Sequence, residues 1–194
     1  MGATSKIKNY MNKYVALLRG INVVTKNVPM AKLRQVLEKL GFKSVQTLLA
    51  SGNAIFEADE ANVSMLKKNI EAALAKKFGL EVDVIIRTKQ QIKTLVTASP
   101  FKHVRMTPGT RLYVTFLLTS PSSASPKIAG KGFKILQATK EEILWTIALA
   151  PDIKSPDVMT LLEKTYGKKI TTRNWNTVVK IAKAFGVPME ELVK

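Results

Sequence analysis

The order in which apolar runs and amphipathic stripes alternate over residues 14–88 constrains this chain more than any other feature. Residues 14–21 (YVALLRGI) form a short apolar run ending in Arg-Gly, which reads as a buried strand and a loop. Pro29 suits the first turn of a helix, and Met30, Leu33, Val36, Leu37 and Leu40 then fall on one helical stripe that Gly41 is placed to stop. Residues 45–50 and 54–58 read as two strands around Ser51, Gly52 and Asn53, a combination that tolerates the positive φ of a hairpin. Asn62 is placed to cap a second helix that turns Leu66, Ile70, Ala73, Leu74 and Phe78 inward and ends at Gly79; residues 81–88 (EVDVIIRT) alternate as a half-buried strand. The order βαββαβ is the ferredoxin-like unit, and right-handed crossovers leave few other ways to close it. In that topology the third strand lies antiparallel between the first two. The end of the first strand and the hairpin between the next two then emerge together, which brings Arg19, Gly20, Asn22 and Lys26 near Ser51, Gly52 and Asn53.

The second half is less regular. It predicts a helix over 89–98, strands over 111–119, 133–138 and 143–149, and a turn-rich loop at 120–132. Ser155 and Pro156 open a helix, and a final one begins after Thr171 and Thr172, burying Trp175, Val178, Ala182 and Phe185. Without a linker between the halves, the expected organisation is a basic lead at 1–13, one subdomain at 14–88, a second α+β subdomain at 89–186, and an end segment at 187–194. Leu37-Glu38-Lys39 and Leu162-Glu163-Lys164 echo one another, and we read this as a common helix ending rather than as duplication.

Composition removes many functions. With no cysteine and one histidine, His103, the chain has no thiolate metal site, no disulfide frame and few routes to a His-based triad. No P-loop, dinucleotide fingerprint, H-E-x-x-H or G-x-S-x-G pattern occurs, so no cofactor or metal is expected. No stretch is apolar enough to span a membrane, and the expected setting is the cytoplasm. The net charge of +17 can mark a binder of nucleic acid or another polyanion. Lysine dominates that charge, however, and Arg is the residue of bidentate phosphate recognition. Tyr14 and Phe56 are the aromatics available on the central strands, and no aromatic-rich RNP run accompanies them, so any nucleic-acid binding would rest on phosphate contacts.

Three polar patches stand outside the core pattern: RGIN at 19–22, SGN at 51–53 and TTRNWNT at 171–177. The third coincides with a predicted helix start, where free N–H groups favour an anion. Arg19, Gly20, Asn22, Lys26, Ser51, Gly52, Asn53, Arg173 and Asn174 are therefore the candidate ligand-binding residues, suited to phosphate or carboxylate. Against this stands a plain structural account in which Gly20 and Gly52 shape turns, Thr172 caps the last helix, Trp175 packs in the core and Arg173 covers a carboxylate. Three functions remain open. One is anion or nucleic-acid binding; another is an enzyme on a phosphorylated or carboxylated small molecule, with Ser51 the first hydroxyl to test; the last is a structural or interaction module whose motifs join the halves. Oligomeric state is not legible.

The segments YVALLRGINV (14–23), KNVPMAKLRQVLEKLGF (26–42), LASGNAIF (49–56) and LLEKTYGKKITTRNWNTVVKI (161–181), in that order, resemble the bacterial domain-of-unknown-function family 1697. The resemblance spans about residues 14–186. It implies an α+β fold of two ferredoxin-like halves, the second an irregular copy, packed as one body, and it implies no activity. Where the family commonly shows a glycine pair after RGIN-V, this chain has Val24-Thr25, which would narrow a ligand site at that loop.

Overall fold

The first apolar run becomes β1 (Asn12–Leu18), whose last five residues are buried. It stops short of position 21 because Gly20 (φ 64°) and Asn22 (φ 55°) turn the chain out of the sheet. A computed structural model describes residues 11–22, 27–118, 132–149, 155–188 and 190, with the backbone alone for 155–157. The candidate Lys26 and the Val24-Thr25 pair lie outside the described residues, as does most of the loop expected at 120–132. Helix α1 (Met30–Lys39) buries Leu33, Val36 and Leu37. Strands β2 (Lys43–Leu48) and β3 (Asn53–Ala58) form the expected hairpin. Helix α2 (Val63–Phe78) is capped by the Asn62 side chain, which accepts from the N–H groups of Ser64 and Met65, and it ends at the left-handed Gly79. The charged start of the next predicted strand stays outside the sheet, so β4 is Val84–Thr88.

Thr88 then starts α3 (Lys89–Thr97) with a reciprocal capping box to Gln91. The chain continues through β5 (Thr110–Leu117), β6 (Phe133–Ala138), β7 (Glu142–Ala148), α4 (Ser155–Tyr166), β8 (Ile170–Asn174) and α5 (Trp175–Ala184). Strand β8 departs from the sequence expectation. Thr171 and Thr172 do not cap a helix; they pair with Phe116 and Thr115 of β5, where their branched side chains suit a pleated surface. The cap of α5 is Asn174, whose side chain accepts from the N–H of Asn176.

The two four-stranded antiparallel sheets have the orders β2-β3-β1-β4 and β6-β7-β5-β8, the same topology written twice. The registers agree as well. Val15 faces Arg87 in one sheet as Val114 faces Arg173 in the other, and Leu17 faces Asn53 as Phe116 faces Glu142. Both hairpins carry an irregularity at the corresponding place, before Gln46 and before Gln137. The Leu-Glu-Lys echo joins α1 to α4, whereas topology makes α2 the counterpart of α4; the echo is unrelated to the real repeat.

Three cores follow from this arrangement. One face of the first sheet packs on α1 and α2 around Phe56, Leu33 and Ile70. One face of the second packs on α4 around Trp145 and Leu162. The other faces of both sheets share a core with α3 and α5, where Val15, Leu17 and Ile85 meet Val114, Phe116, Ile92 and Val178. Tyr14 and Phe56 are thus interior, with Phe56 stacked on Phe42, and offer no platform to a base. Among the described residues no helix is long and apolar enough to cross a membrane.

Candidate functional site: the joint between the halves

The three polar motifs converge where the first hairpin meets β8. Pairing of Leu17 with Asn53 and a hydrogen bond from the Leu18 N–H to the Gly52 carbonyl (2.9 Å) place the end of β1 against the hairpin. Arg173 arrives from the other half with only 6% of its surface exposed. Its Nε donates to Asn53 Oδ1 (2.6 Å), Nη1 to Thr171 Oγ1 (2.8 Å) and the Thr172 carbonyl (2.9 Å), and Nη2 to the Leu18 (2.8 Å) and Gly52 (3.3 Å) carbonyls. A guanidinium has five N–H donors, and here each has an acceptor. The expected covering carboxylate is not among these partners. Burial pulls Arg173 down to about 10, still well above neutrality, so a buried cation is held by neutral dipoles alone.

The neighbouring residues are also occupied by one another. Asn53 is fully buried and donates through Nδ2 to the Leu48 carbonyl (2.9 Å) and Ser51 Oγ (3.1 Å), closing the hairpin. Gly52 has φ 74°, and a Cβ there would sit 2.6 Å from Ile21 Cδ1 and 3.0 Å from Leu18 Cβ, so both conformation and space demand glycine. Asn22 accepts from the Val28 N–H (2.7 Å) and donates to the Val28 and Ala50 carbonyls, lacing the loop after β1 to the hairpin. Arg19 crosses between the halves on the surface, with Nη2 at 2.7 Å from Glu163 Oε1 of α4 and Nη1 at 4.0 Å from Asp83. Gly20 makes the turn that aims it. Asn174 is spent as the α5 cap, and Trp175 is half-buried, its ring meeting Phe101 edge-on at 5.0 Å. Chemically the cluster is a hydrogen-bond network closed on the chain: Asn53 and Arg173 are buried in it, and the side chain of the exposed Asn22 bonds the backbone of Val28 and Ala50.

The repeat reveals a second joint that sequence reasoning missed. Arg87, in the place of Arg173, reaches the other way: Nη2 donates to the Leu117 and Glu141 carbonyls (both 2.8 Å) and Nη1 to the Ile86 carbonyl (3.0 Å), with the guanidinium over the Phe116 ring. Leu117 and Glu141 correspond to Leu18 and Gly52. Each half therefore sends the arginine of its last strand into the hairpin of the other. The signal lay in the strand sequences themselves, since VIIRT and ITTRN both end in arginine and a helix cap. The second joint is less complete, because Arg87 Nε is buried without a partner and the residue in the place of Asn53 is Glu142. Burial raises the Glu142 carboxyl above its ordinary range, while Arg87 pulls the other way.

Comparison with known proteins adds a fold and a family. The structure resembles that of a conserved bacterial protein from Streptococcus pneumoniae, with a TM-score of 0.69 and 21% identity over 91% of this chain and 99% of that one. At that identity the likeness speaks for the fold. None of the curated proteins matches the chain. A family model described as a protein of unknown function, DUF1697, matches residues 11–144, which takes in RGIN, SGN and Arg87 and stops before β8. With more than half of its length matched, the chain belongs to the DUF1697 family.

Proposed function

We propose that this protein binds an anionic polymer, nucleic acid in the first instance, through exposed basic side chains, while the three motifs act as the joint that holds the binding body together. The observation that carries this reading is the segment between α3 and β5. Residues 99–111 (SPFKHVRMTPGTR) contain no carboxylate and expose Lys102, His103, Arg105 and Arg111. The contact of Phe101 with Trp175 sets this run beside α5, which adds the exposed Lys180 and Lys183. Elsewhere Glu57, Glu71 and Glu163 are each paired with a cation, Lys13, Lys67 and Arg19. With Tyr14 and Phe56 buried, affinity would come from phosphates and not from base stacking. A cytoplasmic setting belongs to the same proposal.

The test is a salt titration of binding to single-stranded RNA. The reading expects a log–log slope of about −0.7 per contacted phosphate. Reversing Lys102, Arg105 and Arg111 to Glu should flatten that slope. Absence of binding at low salt, or a slope untouched by the triple reversal, would overturn it.

A further inference from the structure

Beside the Arg87 joint, between α3 and the β6–β7 hairpin, lies a cavity of about 270 Å³. Gln90, Gln91 and Thr94 line it from the helix, Gln137, Glu141 and Glu142 from the hairpin, and Leu95 and Leu144 supply an apolar floor. Position for position, Glu142 replaces the Asn53 that closes the other joint, but it makes no bond to Arg87 Nε, and it lies on the cavity wall. Of the donors near it, the Gln91 amide and Arg87 Nη2 are already used, while Arg87 Nε is buried without a partner. Gln91 gives its amide N–H to Glu141 Oε1 (2.8 Å) and receives the Thr88 N–H on its oxygen (2.9 Å), while Arg87 spends Nη2 on the Leu117 and Glu141 carbonyls. Glu142 has a hydrogen-bond partner in Thr139, yet a carboxylate can accept about four such bonds. The wall therefore offers acceptors. Two carboxylates against one arginine leave it locally negative within a chain of net charge +17.

The geometry points to this cavity as a binding site for a small organic cation, an alkyl guanidinium or primary amine. Its N–H groups would bond to Glu142 and the glutamine oxygens, and its aliphatic stem would cover Leu95 and Leu144. A guanidinium is the closest complement, because it can meet one carboxylate through two parallel N–H···O bonds. The inference does not rest on the polyanion reading, which concerns ligands of the opposite sign on the exposed basic side chains, although Pro100 of that segment also lines the cavity.

Agmatine is the probe, with n-pentanol as a neutral control for the stem. Amide NMR of the full chain should show saturable shifts at Gln90, Gln91 and Gln137 with agmatine and none with the alcohol. Glu142→Gln should weaken binding by about tenfold or more, as expected for loss of a charge-assisted pair. Thr94 is exposed at the rim, so Thr94→Trp should occlude the cavity with the fold intact, and it carries the test if the Glu142 variant fails to fold. Absence of a saturable shift up to about 10 mM, a concentration that fills even a millimolar site, would overturn the proposal. So would binding as tight as that of the wild type by a folded Glu142→Gln or Thr94→Trp variant.

Discussion

Arg173 and Arg87 hold the same place in their sheets and reach into opposite halves, yet Arg173 has an acceptor for every N–H and Arg87 keeps a buried Nε without one. The difference traces to the residue opposite. Asn53 is neutral and short, and it can be buried completely once its amide is bonded. Glu142 is longer and ionisable; half-buried on the wall of the adjacent cavity, it leaves Arg87 Nε without an acceptor. One side chain thus separates a closed structural joint from an open one with room for a ligand. Gly52 against Glu141 is the second asymmetry: the first hairpin needs a left-handed residue at that point, and Glu141 is not among the residues with positive φ.

The largest effect should come from breaking the closed joint. Arg173→Met leaves the Leu18 and Gly52 carbonyls and Asn53 without their donor, and urea unfolding should show a loss of about 3 kcal/mol. Lysine should not rescue it, since one ammonium cannot reproduce a planar fork. Gly52→Ala comes next at about 2 kcal/mol, from left-handed strain and displacement of Ile21. Arg87→Met should cost only about 1–2 kcal/mol, because three bonds are lost and an orphaned donor is removed with them. Equal losses for the two arginines would break the comparison.

The smallest effect concerns pH. Burial makes the folded chain hold the Glu142 proton to higher pH than the unfolded chain, so ionisation costs stability above that raised value and protonation relieves the cost below it. Glu142→Gln should be more stable than the wild type at neutral pH, by about a few tenths of a kcal/mol given partial exposure. That advantage should shrink as the pH falls into the carboxylate range. An advantage that grows on acidification would contradict the sign.

What could be read from the sequence was periodic or local. The stripe of α1, the Asn62 cap and the hairpin at Ser51 to Asn53 are each encoded within a few residues, and the ferredoxin-like order then placed β1 against that hairpin. Strand β8 escaped because ITTRN is short and polar, and only β5 makes it a strand. The fate of Arg173 escaped for a related reason. Two of its acceptors are the backbone carbonyls of Leu18 and Gly52, more than a hundred residues away, and a carbonyl leaves no mark on sequence. The same holds for Arg87, which reads within VIIRT as one polar position of a half-buried strand.

The central claim is that RGIN, SGN and TRN form one hydrogen-bonded joint in which Asn53 and Arg173 depend on each other. A double-mutant cycle with Asn53→Ala and Arg173→Met, followed by urea unfolding, tests it most directly. The predicted coupling is about 2 kcal/mol, within the range for residues of one buried network. Additive losses, with coupling near zero, would show that the two residues act separately and would contradict the joint.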